Sequence, residues 1–168
     1  MTNEVPISFS RSFQTHLVLP PDTNHHGSIF GGKVLAYIDE IAAITSMKHA
    51  KSEVVTASFD SVDFVSPAYE GDILELEAMV TSTGRSSMEV YVRVMAQNIM
   101  TGEVKLTTES FVTMVAVDEA GRPVQVPKVY PETERERQLF ETGAARRELR
   151  QVKRQNTKER RKLLENLE

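Results

Sequence analysis

The chain has 168 residues, 40% of them apolar and 26% charged, which suits one soluble globular domain with an appendage. It has no cysteine, which excludes disulfide scaffolds, thiolate zinc sites and cysteine nucleophiles. The net charge of −4 is uneven: residues 1–131 carry 9 basic against 16 acidic side chains, and residues 132–168 carry 11 against 8, so only the tail has charge suited to nucleic acid.

The N-terminal run MTNEVPISFSRSF has no basic stretch followed by an apolar one, so no secretion signal is expected and the expected location is cytoplasmic. Ser12 to Leu19 reads as a strand, with Phe13, Leu17 and Leu19 on one face and His16 and Val18 on the other, ended by Pro20-Pro21. Asp22 to Gly32 is a polar loop. Lys33 to Lys48 follows as a helix that is apolar nearly all round and is therefore expected to be wrapped on every side. Its apolar stretch, Val34 to Met47, is interrupted by Asp39 and Glu40 and is too short for a bilayer, which needs about 20 residues.

Four strands are predicted next. Val54 to Val65 is rich in β-branched residues, and a slip of phase between Phe59 and Val62 predicts a bulge. Ile73 to Val80 and Ser87 to Ala96 alternate, and Leu106 to Val117 is long. Short turns at Thr83-Gly84-Arg85 and Met100-Thr101-Gly102 predict hairpins. One sheet curled around one helix satisfies both patterns. Composition shifts at Val129–Pro131, and Glu132 to Glu168 reads as a charged helix with a thin apolar stripe, fraying after about Asn156.

Several groups bear on chemistry. The loop ends at a helix N-terminus, where free N–H groups and the dipole favour negative charge. Gly31 and Gly32 let a ligand approach that backbone, a geometry suited to an oxyanion hole or simply to an ordinary cap. Asp39 sits in the apolar helix with Ala36, Ala42 and Ala43 beside it; burial would raise its pKa towards that of a useful base, or a neighbouring strand or subunit would pair it. His25-His26 has no third ligand at metal-binding spacing and reads as a cleft lining or a solvated pair, with no metal expected. Arg85-Ser86-Ser87 at a hairpin suits a phosphate or a plain turn. Ser66-Pro67 opens a turn that either flanks a cleft or only connects two strands.

The run Leu19 to Gly32 (LPPDTNHHGSIFGG) with Tyr37-Ile38-Asp39-Glu40 resembles the hotdog-fold acyl-CoA thioesterases, and within them the cytosolic acyl-CoA hydrolase branch. Val62-Asp63-Phe64, Pro67, Gly71-Asp72 and Gly121-Arg122-Pro123 agree in order, and the likeness covers about residues 10–127. It implies an α+β hotdog domain over 10–127, with a five-stranded antiparallel sheet around a central helix, and leaves 131–168 as a charged helical extension. It also implies a dimer with a continuous ten-stranded sheet, a trimer of such dimers, and an active site at the dimer interface. The implied reaction is hydrolysis of acyl-CoA to fatty acid and CoA without a separate cofactor. Asn24 would orient water or the carbonyl, and the N–H of Gly32 would polarise the carbonyl. Asp39 of the other subunit would act as base or nucleophile. His25, His26, Phe30 and Gly31 would shape the cleft, with Arg85, Ser86, Ser87, Ser66 and Pro67 along the CoA groove. A non-enzymatic acyl-CoA sensor of the same fold is the alternative, and its missing helix-turn-helix before Ser12 tells against it. A dehydratase or isomerase using His25 or His26 is a weaker one. The basic tail reads as a nucleic-acid arm or, because Glu141, Glu148, Glu159 and Glu165 interleave it, as a helix packing on a neighbouring subunit.

Overall fold

The computed structural model describes residues 3–167. Its elements in chain order are β1 (Glu4–Pro6), β2 (Ser12–Leu17), α1 (Gly31–Ala50), β3 (Glu53–Phe64), β4 (Ile73–Thr83), β5 (Ser87–Gln97), β6 (Val104–Val117), β7 (Lys128–Tyr130), α2 (Glu134–Glu141) and α3 (Gly143–Glu165). Five strands form one antiparallel sheet in the order β2-β4-β5-β6-β3, leaving β2 and β3 as its edges. The alternation read in β4 and β5 sends Leu74, Leu76, Val90 and Val92 into one core with Val34, Ile38 and Ile41 of α1. The slip expected between Phe59 and Val62 is present as the register shift at Phe59/Ser61, and a second shift lies at Thr56/Ser58.

Four features differ from expectation. The first strand of the sheet stops at Leu17 because Pro20–Asp22 forms a 3-10 turn; Phe13 and Leu17 point out of the core and are exposed. Helix α1 is not wrapped all round by its own chain: Val34, Ile38, Ile41, Ala42, Thr45 and Ser46 are buried, whereas Gly32, Ala36, Glu40 and Met47 are exposed. The N-terminal Glu4–Pro6 pairs in parallel with Lys128–Tyr130, a contact between segments far apart in sequence that has no local pattern. The tail is two helices, broken at Thr142, and the second runs unfrayed to Glu165 because it holds only good helix formers after Asn156 apart from Thr157.

Both tail helices are held on the outer face of the sheet by buried carboxylates. Glu77 of β4 is ringed by Arg11, Arg93 and Arg135, the last at 3.0 Å. Glu89 of β5 accepts from Arg146 at 2.8 and 3.0 Å and from Arg150 and Thr81. Burial alone would push both carboxyls up, but the arginines outweigh it and hold them below the usual carboxylate range. Arg146 also lies over the Phe111 ring at 4.2 Å. No helix among the described residues is long and apolar enough to cross a membrane.

Candidate active site

The loop before α1 is built by its own polar groups. The Asn24 Oδ1 accepts from the His26 N–H at 2.9 Å, its Nδ2 donates to the Ser28 hydroxyl at 3.0 Å, and Asn24 N–H donates to the Ser28 carbonyl at 2.8 Å. This fixes the amide plane and leaves one N–H of Nδ2 free to donate. Phe30 N–H donates to the Asp22 carbonyl and Phe30 serves as the N-cap without a side-chain cap. Among the described residues, the N–H groups of Gly31 and Gly32 have no hydrogen-bond partner, as expected of a first helical turn.

The two glycines are not equivalent. A Cβ on Gly31 would lie 3.2 Å from the Phe64 ring, so Gly31 is needed for packing. A Cβ on Gly32 would meet nothing within 4 Å, so Gly32 borders open space at a positive helix end, where an oxyanion can reach the backbone. Gly31, Ser66 and Pro67 come together with Phe64, Val34 and Thr107 around a cavity of about 390 Å³ beside this turn. His25 and His26 are exposed, with ring centroids 3.9 Å apart, and Phe30 is exposed at the loop's end.

Asp39 is half-buried on α1, about 12 Å along the axis from the Gly31 end. Its Oδ1 accepts a 2.6 Å hydrogen bond from the Thr56 hydroxyl of β3, which fixes the carboxylate and leaves Oδ2 without a partner among the described residues. Thr56 is the residue that sequence reasoning missed. A hydroxyl at a helix-facing strand position, in a run otherwise valine and alanine, was its signal. Within one chain no hydrogen bond joins Asp39 to the Asn24 loop. Thr56 lies in the first half of β3 and Phe64, which touches Gly31, at its far end. Arg85, Ser86 and Ser87 lie at the β4–β5 hairpin, at the Thr56 end of the sheet and away from the Gly31 cavity.

A known family model, described as the thioesterase superfamily, matches residues 26–103, which include the first turn of α1 and Asp39. A Bacillus subtilis protein named as an uncharacterized acyl-CoA thioester hydrolase is 50% identical over 137 residues, which cover 82% of this chain and 80% of that one. The chain belongs to the hotdog-fold thioesterase family.

Solved structures of thioesterases agree. An apo-hexameric acyl-CoA thioesterase superposes with a TM-score of 0.89 at 66% identity, covering 90% of this chain and 97% of that one. The acyl-CoA hydrolase of Staphylococcus aureus, in complex with butyryl coenzyme A and coenzyme A, gives 0.92 at 45% identity, covering 96% and 98%. That thioesterase is also solved as three alanine variants, of an asparagine, an aspartate and a threonine. Their order and spacing along its chain are those of Asn24, Asp39 and Thr56 here.

Proposed function

We propose that this protein is an acyl-CoA thioesterase that hydrolyses acyl-CoA to a free fatty acid and CoA, and that its site forms between two subunits. The observation that carries the reading is Asp39. Its carboxylate is oriented by Thr56 on the partly open face of α1, yet it lies away from the Asn24 loop and the Gly32 N–H of its own chain. A second subunit, docked against that face and the β3 edge, would bring the Asn24 loop of one chain to the Asp39 of the other. Exposed Met47, Val55, Phe64 and Val65 supply apolar surface for this contact. The hexameric relative supports assembly of such dimers into a hexamer.

A thioester carbonyl is electrophilic enough to be attacked by an activated water. The Gly32 N–H, at the positive end of α1, holds the oxygen as it gains charge, and one such donor is worth about 10²–10³ in rate. The free Nδ2 proton of Asn24 orients the carbonyl or the water. Asp39 takes the water proton through Oδ2, or attacks the carbonyl to form an anhydride that water then opens; the thiolate of CoA leaves in either case. No step calls on a metal or a separate cofactor. His25, His26 and Phe30 border the cleft, and Gly31, Ser66 and Pro67 wall the cavity next to it. Arg85, Ser86 and Ser87 are assigned to the CoA phosphates. The reading takes residues 10–127 as the thioesterase unit, 131–168 as its extension, and the cytoplasm as its location.

The test is thiol release from a panel of acyl-CoAs, from acetyl to palmitoyl, with the purified full chain. Because the protein has no cysteine, it adds no thiol background. Release is expected for the wild-type, with Asp39→Asn lowering kcat by about 10²–10⁴ at unchanged fold and assembly. Tight acyl-CoA binding with no release would favour the sensor, and unchanged turnover in the variant would remove Asp39 from the mechanism.

A further inference from the structure

Helix α3 carries nine Lys and Arg against three Glu and passes the β4–β5 hairpin on the outer face of the sheet. Part of that charge is already matched. Arg146 and Arg150 pair with Glu89, and Arg150 also lies 3.8 Å from Asp60. Arg147 and Arg154 differ: among the described residues, neither pairs with a carboxylate. With Ser82, Ser87 and Gln151 they line a groove of about 220 Å³ between α3 and the hairpin. Arg147 reaches the hairpin itself, since a Cβ on Gly84 would lie 2.7 Å from its guanidinium and 2.5 Å from the Ser87 hydroxyl. Glu89, the carboxylate in the wall, is neutralised by its own arginines, so the groove presents two unmatched guanidiniums beside hydroxyl donors. That is the chemistry of a phosphate site.

The groove's position identifies the phosphate's carrier. Met88, next to Ser87, pairs across the sheet with Met114, and Met114 pairs with Thr56, which orients Asp39. Two strand spacings, about 10 Å, separate Met88 from Thr56 within the sheet, with the groove on the outer face and Asp39 on the helix face. A ligand that reaches from Asp39 round this end of the sheet to the groove is long, flexible and phosphorylated at its far end. We propose that Arg147 and Arg154 of α3, with Ser87, bind the phosphorylated nucleotide end of acyl-CoA, which makes the C-terminal helix a substrate-binding element. This rests on the thioesterase reading.

The test compares the full chain with Arg147→Ala/Arg154→Ala on butyryl-CoA, butyryl-3′-dephospho-CoA and butyryl-pantetheine, and measures binding of adenosine 3′,5′-bisphosphate by calorimetry. The double variant is expected to raise KM for butyryl-CoA about tenfold or more with little change in kcat. The KM for butyryl-pantetheine, which lacks the nucleotide, stays in place, and bisphosphate binding is lost. Lys162→Ala, at the far end of α3, serves as the control for charge alone and changes none of these. Equal KM changes for CoA and pantetheine substrates would overturn the proposal, since α3 would then act only through packing. So would bisphosphate binding that survives the substitutions, including the case where they abolish binding of a single-stranded RNA oligomer instead. If the wild-type cleaves none of the three thioesters, the thioesterase reading fails, and calorimetry still decides the groove.

Discussion

Thr56 shows what a single hydroxyl contributes. It donates to one oxygen of Asp39 and so decides which oxygen is left to act. Thr56→Ala should lower kcat about tenfold with KM little changed, since a hydrogen bond to a charged group is worth about 1.5–3 kcal/mol. Thr56→Ser, which keeps the hydroxyl, should stay within about threefold, and steady-state kinetics on one acyl-CoA reads both. At this scale the sequence was informative for some residues and silent for others. Asp39 was conspicuous because a carboxylate inside an apolar helix calls for a partner, and one alternative weighed for it, a hydrogen bond to a neighbouring strand, is what Thr56 provides. The signal of Thr56, a hydroxyl among valine and alanine, is weak, because a threonine in a β-branched strand is ordinary and its partner lies 17 residues away.

Among the elements, the strands and hairpins of β4, β5 and β6 were legible from their alternation, because one face meets α1 and the other meets polar groups. The alternation sets Glu77 and Glu89 opposite the apolar face, and both are buried there, on the outer face, under arginines. A period of two reports which face a residue takes; it does not report what covers that face, and Arg135 and Arg146 come from 58 and 57 residues away. These carboxylates tie the tail helices to the sheet. Glu89→Gln leaves two partly shielded guanidiniums without their anion and should cost about 2 kcal/mol in urea unfolding, below the range for a fully buried pair. The folded pKa of Glu89 lies below its usual 4.5, so its stabilisation is complete above that pH and is lost as pH falls through the folded value. Burial likewise lowers the pKa of His49, so protonating it on acidification opposes folding in the same direction. Wild-type stability should therefore fall more steeply with acid below about pH 4.5 than that of Glu89→Gln. Parallel slopes would detach Glu89 from the acid response.

For the whole molecule, one sheet curled around one helix was readable from the order of the elements, the hotdog family from the resemblance carried by Leu19 to Gly32, and the tail as charged and helical. The open side of α1 was not. An all-round apolar pattern says that a helix is covered, without saying by which chain. The exposed Ala36, Glu40 and Met47 mark where the chain's own sheet stops covering it. The central claim, that each site takes Asn24 from one subunit and Asp39 from another, is tested most directly by mixing two inactive variants. Asn24→Ala and Asp39→Ala chains, co-expressed with different tags and purified through both, should form mixed dimers in which one of the two sites is fully wild-type. With random pairing, half of the dimers are mixed and each of those has one intact site of two, so the doubly tagged hexamers should regain about a quarter of wild-type turnover. Mixed assemblies as inactive as either parent would contradict the account and place both residues in a site made by a single chain.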